Sequence, residues 1–316
     1  MHATSLHKIK TMFKGMKVVT FNEQFTSDAD CQAYLLKIKW ESGYSCKKCN
    51  HSAYYPGRKE GYRKCQACEY DESATAGTLF HKMKFSLLKA FQICYRISVR
   101  KKGMSSCELA REFGLKQNTC WLFKRKIQEA MKSSGSHLLM KNVEVDEFVV
   151  GGQETGKQGR SAESKKKKLI VGMESVVKKN GKMGIGLAYM EVIPNYSADA
   201  LANFFNKRIS KKATIRTDGW AGYNPLKKDF PNLKQEKSDK GQNFKLLHVL
   251  IMNFKSWLRG IHHHVSTIHM SAYLDEFCFR FNRKNNLDNI FDTLINRMVC
   301  AKPFSITDFR LRELNG

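Results

Sequence analysis

Val143-Glu-Val-Asp-Glu-Phe-Val-Val-Gly-Gly152 and Ala213-Thr-Ile-Arg-Thr-Asp-Gly-Trp-Ala-Gly-Tyr223 decide how this chain is read. Each holds a short apolar strand with an aspartate near its end, Asp146 in the first and Asp218 in the second. An unpaired charge between Val145 and an apolar run is costly in a core, so a merely structural Asp146 is the poorer reading. Asp218-Gly219 taken alone is also a turn signal. Strands that end in carboxylates gather hard oxygen ligands on a rigid sheet, a donor set suited to Mg²⁺ or Mn²⁺.

Working outward from the two aspartates, Leu169–Val176 and Gly184–Val192 read as further strands. Ser197–Lys207 carries Ala198, Leu201, Ala202, Phe204 and Phe205 at helical spacing. Phe244–Val249 reads as a fifth strand, with a helix following from Leu250. Three strands, a helix, a strand, then a strand and a helix is the RNase H-like order. The fold class expected is therefore multidomain α+β and α/β, with that domain over 140–300 and a C-terminal tail over 301–316.

The N-terminal part divides into a helical segment over 1–40, a cysteine-rich ribbon over 41–82 and a helical bundle over 83–135. Cys46-Lys-Lys-Cys49 and Cys65-Gln-Ala-Cys68 are two matched knuckles separated by 15 residues. Each lets two thiolates reach one ion from a tight turn, and four such ligands select one structural Zn²⁺ with no open position. So small a segment has little apolar material and leans on its metal. Ser105–Phe113 and Gln117–Met131 flank the turn 113–118, whose length and glycine suit a helix-turn-helix. Ser106 and Asn118 are the expected N-caps. A plain packing bundle is the bland alternative.

A net charge of +26, from 55 Lys+Arg against 29 Asp+Glu, opposes compaction unless an anionic partner screens it. Nucleic acid is the leading partner. The N-terminus lacks an apolar signal region, and no apolar run reaches membrane-spanning length. The expectation is a cytoplasmic protein without a membrane partner, associated with the nucleoid when bound. The candidate DNA contacts are Lys47, Lys48, Arg63 and Lys64 on the ribbon, and Lys116 and Lys124 around the turn. Lys165, Lys166, Lys167 and Lys168 form a basic loop with Lys157 and Arg160, and Lys255 and Arg259 lie four apart on one helical face.

At this point the chain resembles a family. The ribbon, Gly77-Thr-Leu-Phe-His81 and the helix-turn-helix carry the resemblance. So do Glu144-Val-Asp-Glu147 with Gly151-Gly152, Arg216-Thr-Asp-Gly219, Asn253-Phe-Lys-Ser-Trp-Leu-Arg-Gly260, His262–Ser266 and Tyr273–Arg283. Together they are similar to bacterial insertion-sequence transposases of the DDE type with an N-terminal zinc ribbon, in the subgroup whose third acidic residue is Asn. The resemblance implies binding of terminal inverted repeats, then Mg²⁺- or Mn²⁺-dependent strand cleavage and transfer with two catalytic ions. It carries over Asp146 and Asp218 as metal ligands and Asn253 as the third catalytic residue. Glu276 is the rival for that third place, and His248 is a group that could position a phosphate or metal. It also implies double-stranded DNA partners, transposon ends and target, and a homo-oligomer on DNA. The competing function is a non-catalytic zinc-ribbon and helix-turn-helix DNA-binding protein, such as a decayed transposase or a regulator.

Overall fold

The computed structural model describes residues 12–15, 17–152, 166–239, 241–262, 265–303, 305 and 307. The chain forms two compact units, one of Met1–Met131 with Asn285–Gly316 and one of Lys132–Lys284.

The first unit opens with α1 (Val18–Gln24) and α2 (Asp28–Lys39). Ser27 and Asp30 cap α2 reciprocally, the Ser27 side chain accepting from the Asp30 N–H and the Asp30 carboxylate from the Ser27 N–H. A three-stranded antiparallel sheet follows, β1 (Tyr54–Pro56), β2 (Tyr62–Cys65) and β3 (Asp71–Ser73). The bundle comprises α3 (Leu87–Val99), α4 (Ser106–Phe113) and α5 (Gln117–Met131). The cap of α4 is Ser105, not the expected Ser106, because Glu108 sits three residues after Ser105 and completes a capping box. Gly114 ends α4 in the left-handed region at φ 61°, where a side chain is strained. Asn118, the other expected cap, is already inside α5.

The second unit is built on one sheet. Its strands are β4 (Asn142–Val150), β5 (Lys167–Val177), β6 (Met183–Val192), β7 (Thr214–Thr217) and β8 (Leu233–Gln235), in the order β6-β5-β4-β7-β8. β4, β5 and β6 pair antiparallel, whereas β7 runs parallel to β4 and β8 parallel to β7. One face packs on α6 (Ala198–Arg208) and the 3-10 turn Ala221–Lys228, with Val143, Val145, Ile215, Phe204, Phe205 and Tyr223 in the core. The other packs on α7 (Lys245–Ile261) and α8 (Thr267–Phe281) through Phe148, Val171, Leu250, Phe254 and Phe277.

The expected strand Phe244–Val249 is instead the first turns of α7, and the fifth strand is Leu233–Gln235. Leu247, Leu250, Ile251, Phe254 and Leu258 form one unbroken helical stripe, all buried. β8 has only three residues and one buried side chain, too short for an alternating pattern. The sheet unit also closes at Lys284 rather than at 300. The last helix, α9 (Ile290–Cys300), packs on α3 and α5. Phe291 draws it there, nested among Phe13, Phe21, Phe25, Phe91 and Tyr95 with ring centroids 5.2–6.0 Å apart.

Candidate active site and metal centres

The pairing of β4 with β7 positions the first site. Val145 and Thr217 are register partners on parallel strands, so Asp146 and Asp218 follow side by side. One carboxylate oxygen each from Asp146, Glu147 and Asp218 lie within 4.8 Å of one another. These three oxygens lie close enough together to offer a site to one hard cation. The Glu147 N–H donates to Asp146 Oδ1 at 2.8 Å, and the Trp220 N–H donates to Asp218 Oδ1 at 3.0 Å. Those bonds fix the carboxylates' orientation.

The surroundings sort the remaining acids. Glu144, two residues before Asp146, meets Arg216 at 3.2 Å, and Arg216 also grips Glu236 at 2.8 Å. Burial still raises the Glu144 carboxyl above its usual range, against the pull of Ser175 and Arg216. Tyr223 is fully buried beside Glu147. Burial first, then the Glu147 charge, hold its phenol well above the usual range, so it stays protonated. Glu276 is fully buried on α8, with the charge of Arg280 one turn on, and is outside the three-carboxylate group. Asn253 is exposed on α7. His248, nearer the start of α7, brings Nε2 to 3.5 Å from Asp146 Oδ2.

Beyond the carboxylates a cleft of about 610 Å³ opens between the end of β4 and α7. Its walls include Val150, Gly151, Gly152, Lys167, Lys255, Arg259 and His262. Burial lowers the Lys255 ammonium below its usual range, and the charges of Arg259 and Lys166 lower it further. Lys167, Lys255 and Arg259 around one cleft make an anion-seeking surface.

In the first unit, Cys46, Cys49, Cys65 and Cys68 bring their sulfurs within 4.8 Å of one another, with Cys46–Cys68 and Cys49–Cys65 at 3.5 Å. Zn–S bonds of about 2.3 Å set sulfurs about 3.8 Å apart, so the four fit one zinc ion. Burial opposes ionisation of Cys46, but N–H groups of Cys49 and Lys48 outweigh it and bring the thiol down to about 6. Cys65 is lowered in the same way by Cys68 and Ala67. Lys39 and Glu72 form a buried pair at 2.7 Å behind the knuckles.

The expected DNA-contacting cations divide sharply. Lys48 and Lys116 are exposed. Lys124 is not at the surface: it is 4% exposed and its Nζ donates to the Met104 carbonyl at 2.8 Å. Arg63 lies over the rings of Trp40 and Tyr54, 4.1 Å from each, so it braces the ribbon. Lys47 donates to the Ala76 and Gly77 carbonyls, and Lys64 meets Glu69 at 3.4 Å. Lys166 precedes β5, and Lys167 and Lys168 are its first two residues. Lys157, Arg160, Lys165, His263 and His264 lie outside the described residues. Glu147 escaped the sequence reading because neighbours on a strand face opposite ways; its only signal was the Asp-Glu pair at the motif itself.

Two family models match the chain. Residues 138–282 match an ISXO2-like transposase domain, and residues 26–71 match a transposase zinc-ribbon domain. The chain belongs to the zinc-ribbon insertion-sequence transposases of the DDE type. The transposase domain spans nearly the whole sheet unit, including all three clustered carboxylates. The ribbon match holds all four cysteines. A search of curated proteins gave no match to this transposase. No helix among its described residues is long and apolar enough to cross a membrane.

Proposed function

We propose that the transposase binds the terminal inverted repeats of its element and catalyses strand cleavage and strand transfer at Asp146, Asp218 and Glu147. The convergence of these three carboxylates inside the transposase domain carries the reading. The strand order, with Asp146 on the central strand and Asp218 at the end of its parallel neighbour, supports an RNase H-like assignment.

Two Mg²⁺ or Mn²⁺ ions held there would supply activation of water or a 3′-hydroxyl and stabilisation of the leaving 3′-oxygen in an in-line displacement. Asp146 accepts from the Glu147 N–H through Oδ1 and meets His248 through Oδ2, which holds its carboxylate in the group with Glu147 and Asp218. Tyr223, held protonated, steadies Glu147 from the apolar side of the sheet. Lys167, Lys255 and Arg259 receive the phosphodiester backbone in the adjoining cleft. On the first unit, α4 and α5 act as a helix-turn-helix, and Lys48 and Lys116 meet phosphates. Work on two DNA ends implies a homo-oligomer on DNA.

The test is strand cleavage and joining on labelled DNA bearing the element's own terminal repeats. Wild type should cut and join with Mg²⁺ or Mn²⁺, while Asp146→Ala and Asp218→Ala bind the ends and do neither. A wild type that binds but never cuts would leave a DNA-binding protein with structural carboxylates.

A further inference from the structure

We propose that the cleft at the end of β4 takes one unpaired nucleotide of the substrate DNA, its base in the apolar part and its phosphate on the cationic rim. This rests on the strand-cleaving and joining function proposed above, and goes beyond the backbone contact assigned there to the cleft.

Three observations carry it. The first is volume. A duplex backbone running past Lys167, Lys255 and Arg259 needs only their charged ends. The cleft instead measures about 610 Å³. Concave sites that enclose an organic ligand run from about 300 to 1,000 Å³.

The second is the division of its walls. Val150, Leu258 and Val265 stand beside the three cations, and no carboxylate is among the described lining residues. Leu258 is buried in the core that holds α7 on the sheet, and Val150 and Val265 pack against that core. A bare phosphate gains nothing from aliphatic side chains, and a wholly apolar ligand gains nothing from three cations. A nucleotide carries both parts.

The third is an aromatic wall. His262 also lines the cleft. Its ring stacks on Tyr273 with centroids 4.0 Å apart and meets Trp257 edge-on at 6.2 Å. Tyr273 is buried and Trp257 packs on the same core, so neighbours hold the imidazole in place. A fixed ring among aliphatic groups suits the π-face of a base.

A paired base is stacked between its neighbours and cannot reach such a wall. Its nucleotide must leave the helix, at a cost that is smallest where pairing is already broken. Val149 and Val150 follow Asp146 by three and four residues on β4, roughly 10–13 Å along the strand. The nucleotide in the cleft therefore lies within about four base steps of the phosphate at the carboxylates.

The experiment measures binding of the full chain, with zinc in its ribbon, to duplexes bearing the element's terminal repeat. Each duplex carries one mismatch, moved a position at a time across the end. We expect a single position near the cleavage site where the mismatch tightens binding about tenfold, because unpairing is done beforehand. 5-Iodouracil placed there should photocross-link to the peptide that carries His262. Gly152 lines the cleft, and a Cβ on it meets nothing within 4 Å. Gly152→Phe should therefore fill the space without straining the chain and abolish the gain. His262→Ala should reduce the gain several-fold. Lys255→Gln should weaken matched and mismatched duplexes alike and keep it.

A wild type that binds and cuts the ends without any such position overturns the proposal and leaves strand transfer standing. So does a gain that Gly152→Phe and His262→Ala both leave intact, or a cross-link confined to another peptide. A wild type that neither binds nor cuts the ends removes the strand-transfer function and this proposal with it.

Discussion

The cysteine cluster and the carboxylate cluster bring their side chains together by opposite routes. Cys46 and Cys49 share one tight turn, as do Cys65 and Cys68, and the sheet beside them has strands of only three or four residues. Little besides the metal can hold those turns together. Asp146 and Asp218 are far apart in sequence, yet the β4–β7 register by itself sets them side by side. Both faces of that sheet carry apolar cores. The ribbon is thus expected to lean on zinc for its fold, whereas the sheet unit has apolar cores enough to fold without an ion.

The largest expected effect tests that contrast directly. Chelation of zinc should cost the ribbon on the order of 10 kcal/mol, so amide exchange over 44–73 should lose protection while β4–β7 keep theirs. Equal loss in both units would break the distinction. Next, Asp146→Asn should reduce strand cleavage at least about a thousandfold, since the metal's role is worth several kcal/mol. The same change should leave the melting temperature of the sheet unit within about 2 °C, measured by calorimetry; a large drop would make Asp146 a structural residue.

Glu72→Gln comes third. It strands Lys39 without its buried partner, and losing one member of such a pair costs about 3 kcal/mol. The loss should appear in chemical denaturation of the ribbon as a lower midpoint even with zinc present. Lys255→Gln should then weaken DNA binding modestly and reduce its salt dependence by about one phosphate contact; an unchanged slope would remove the cleft from the DNA path.

The smallest effect concerns α2. The Thr26 hydroxyl, followed by Ser27, holds the Asp30 carboxyl down to about 2 against its ordinary value of 3.8. A depressed carboxyl stabilises the folded state above its ordinary value, and that contribution fades as pH falls toward 2. Helicity of α2 should follow that window in wild type and lose it in Asp30→Asn, as read by amide exchange at successive pH values.

Local chemistry was legible in the sequence wherever neighbours in the chain are neighbours in space. The knuckles, the strands around Asp146 and Asp218, and the helices α3 to α6 belong to that class. The start of α7 was misread because a short apolar run fits either period, and only packing against the sheet chose the helix. Charge was misread for a related reason. Lys124 and Arg63 look like surface cations by composition, but the first caps a buried carbonyl and the second is enclosed by aromatic rings.

What the sequence determined by itself was which donor groups the chain offers: four thiols at knuckle spacing and two aspartates at strand ends, because residue type and short spacing set donor softness and local geometry. What only the tertiary structure decided was the company those ligands keep. The parallel register set Asp146 beside Asp218, the course of α7 brought His248 to Asp146, and Phe291 packed α9 with α3 and α5. Such choices depend on strand register and helix phase, which long-range burial of apolar surface fixes and which no short window of residues contains.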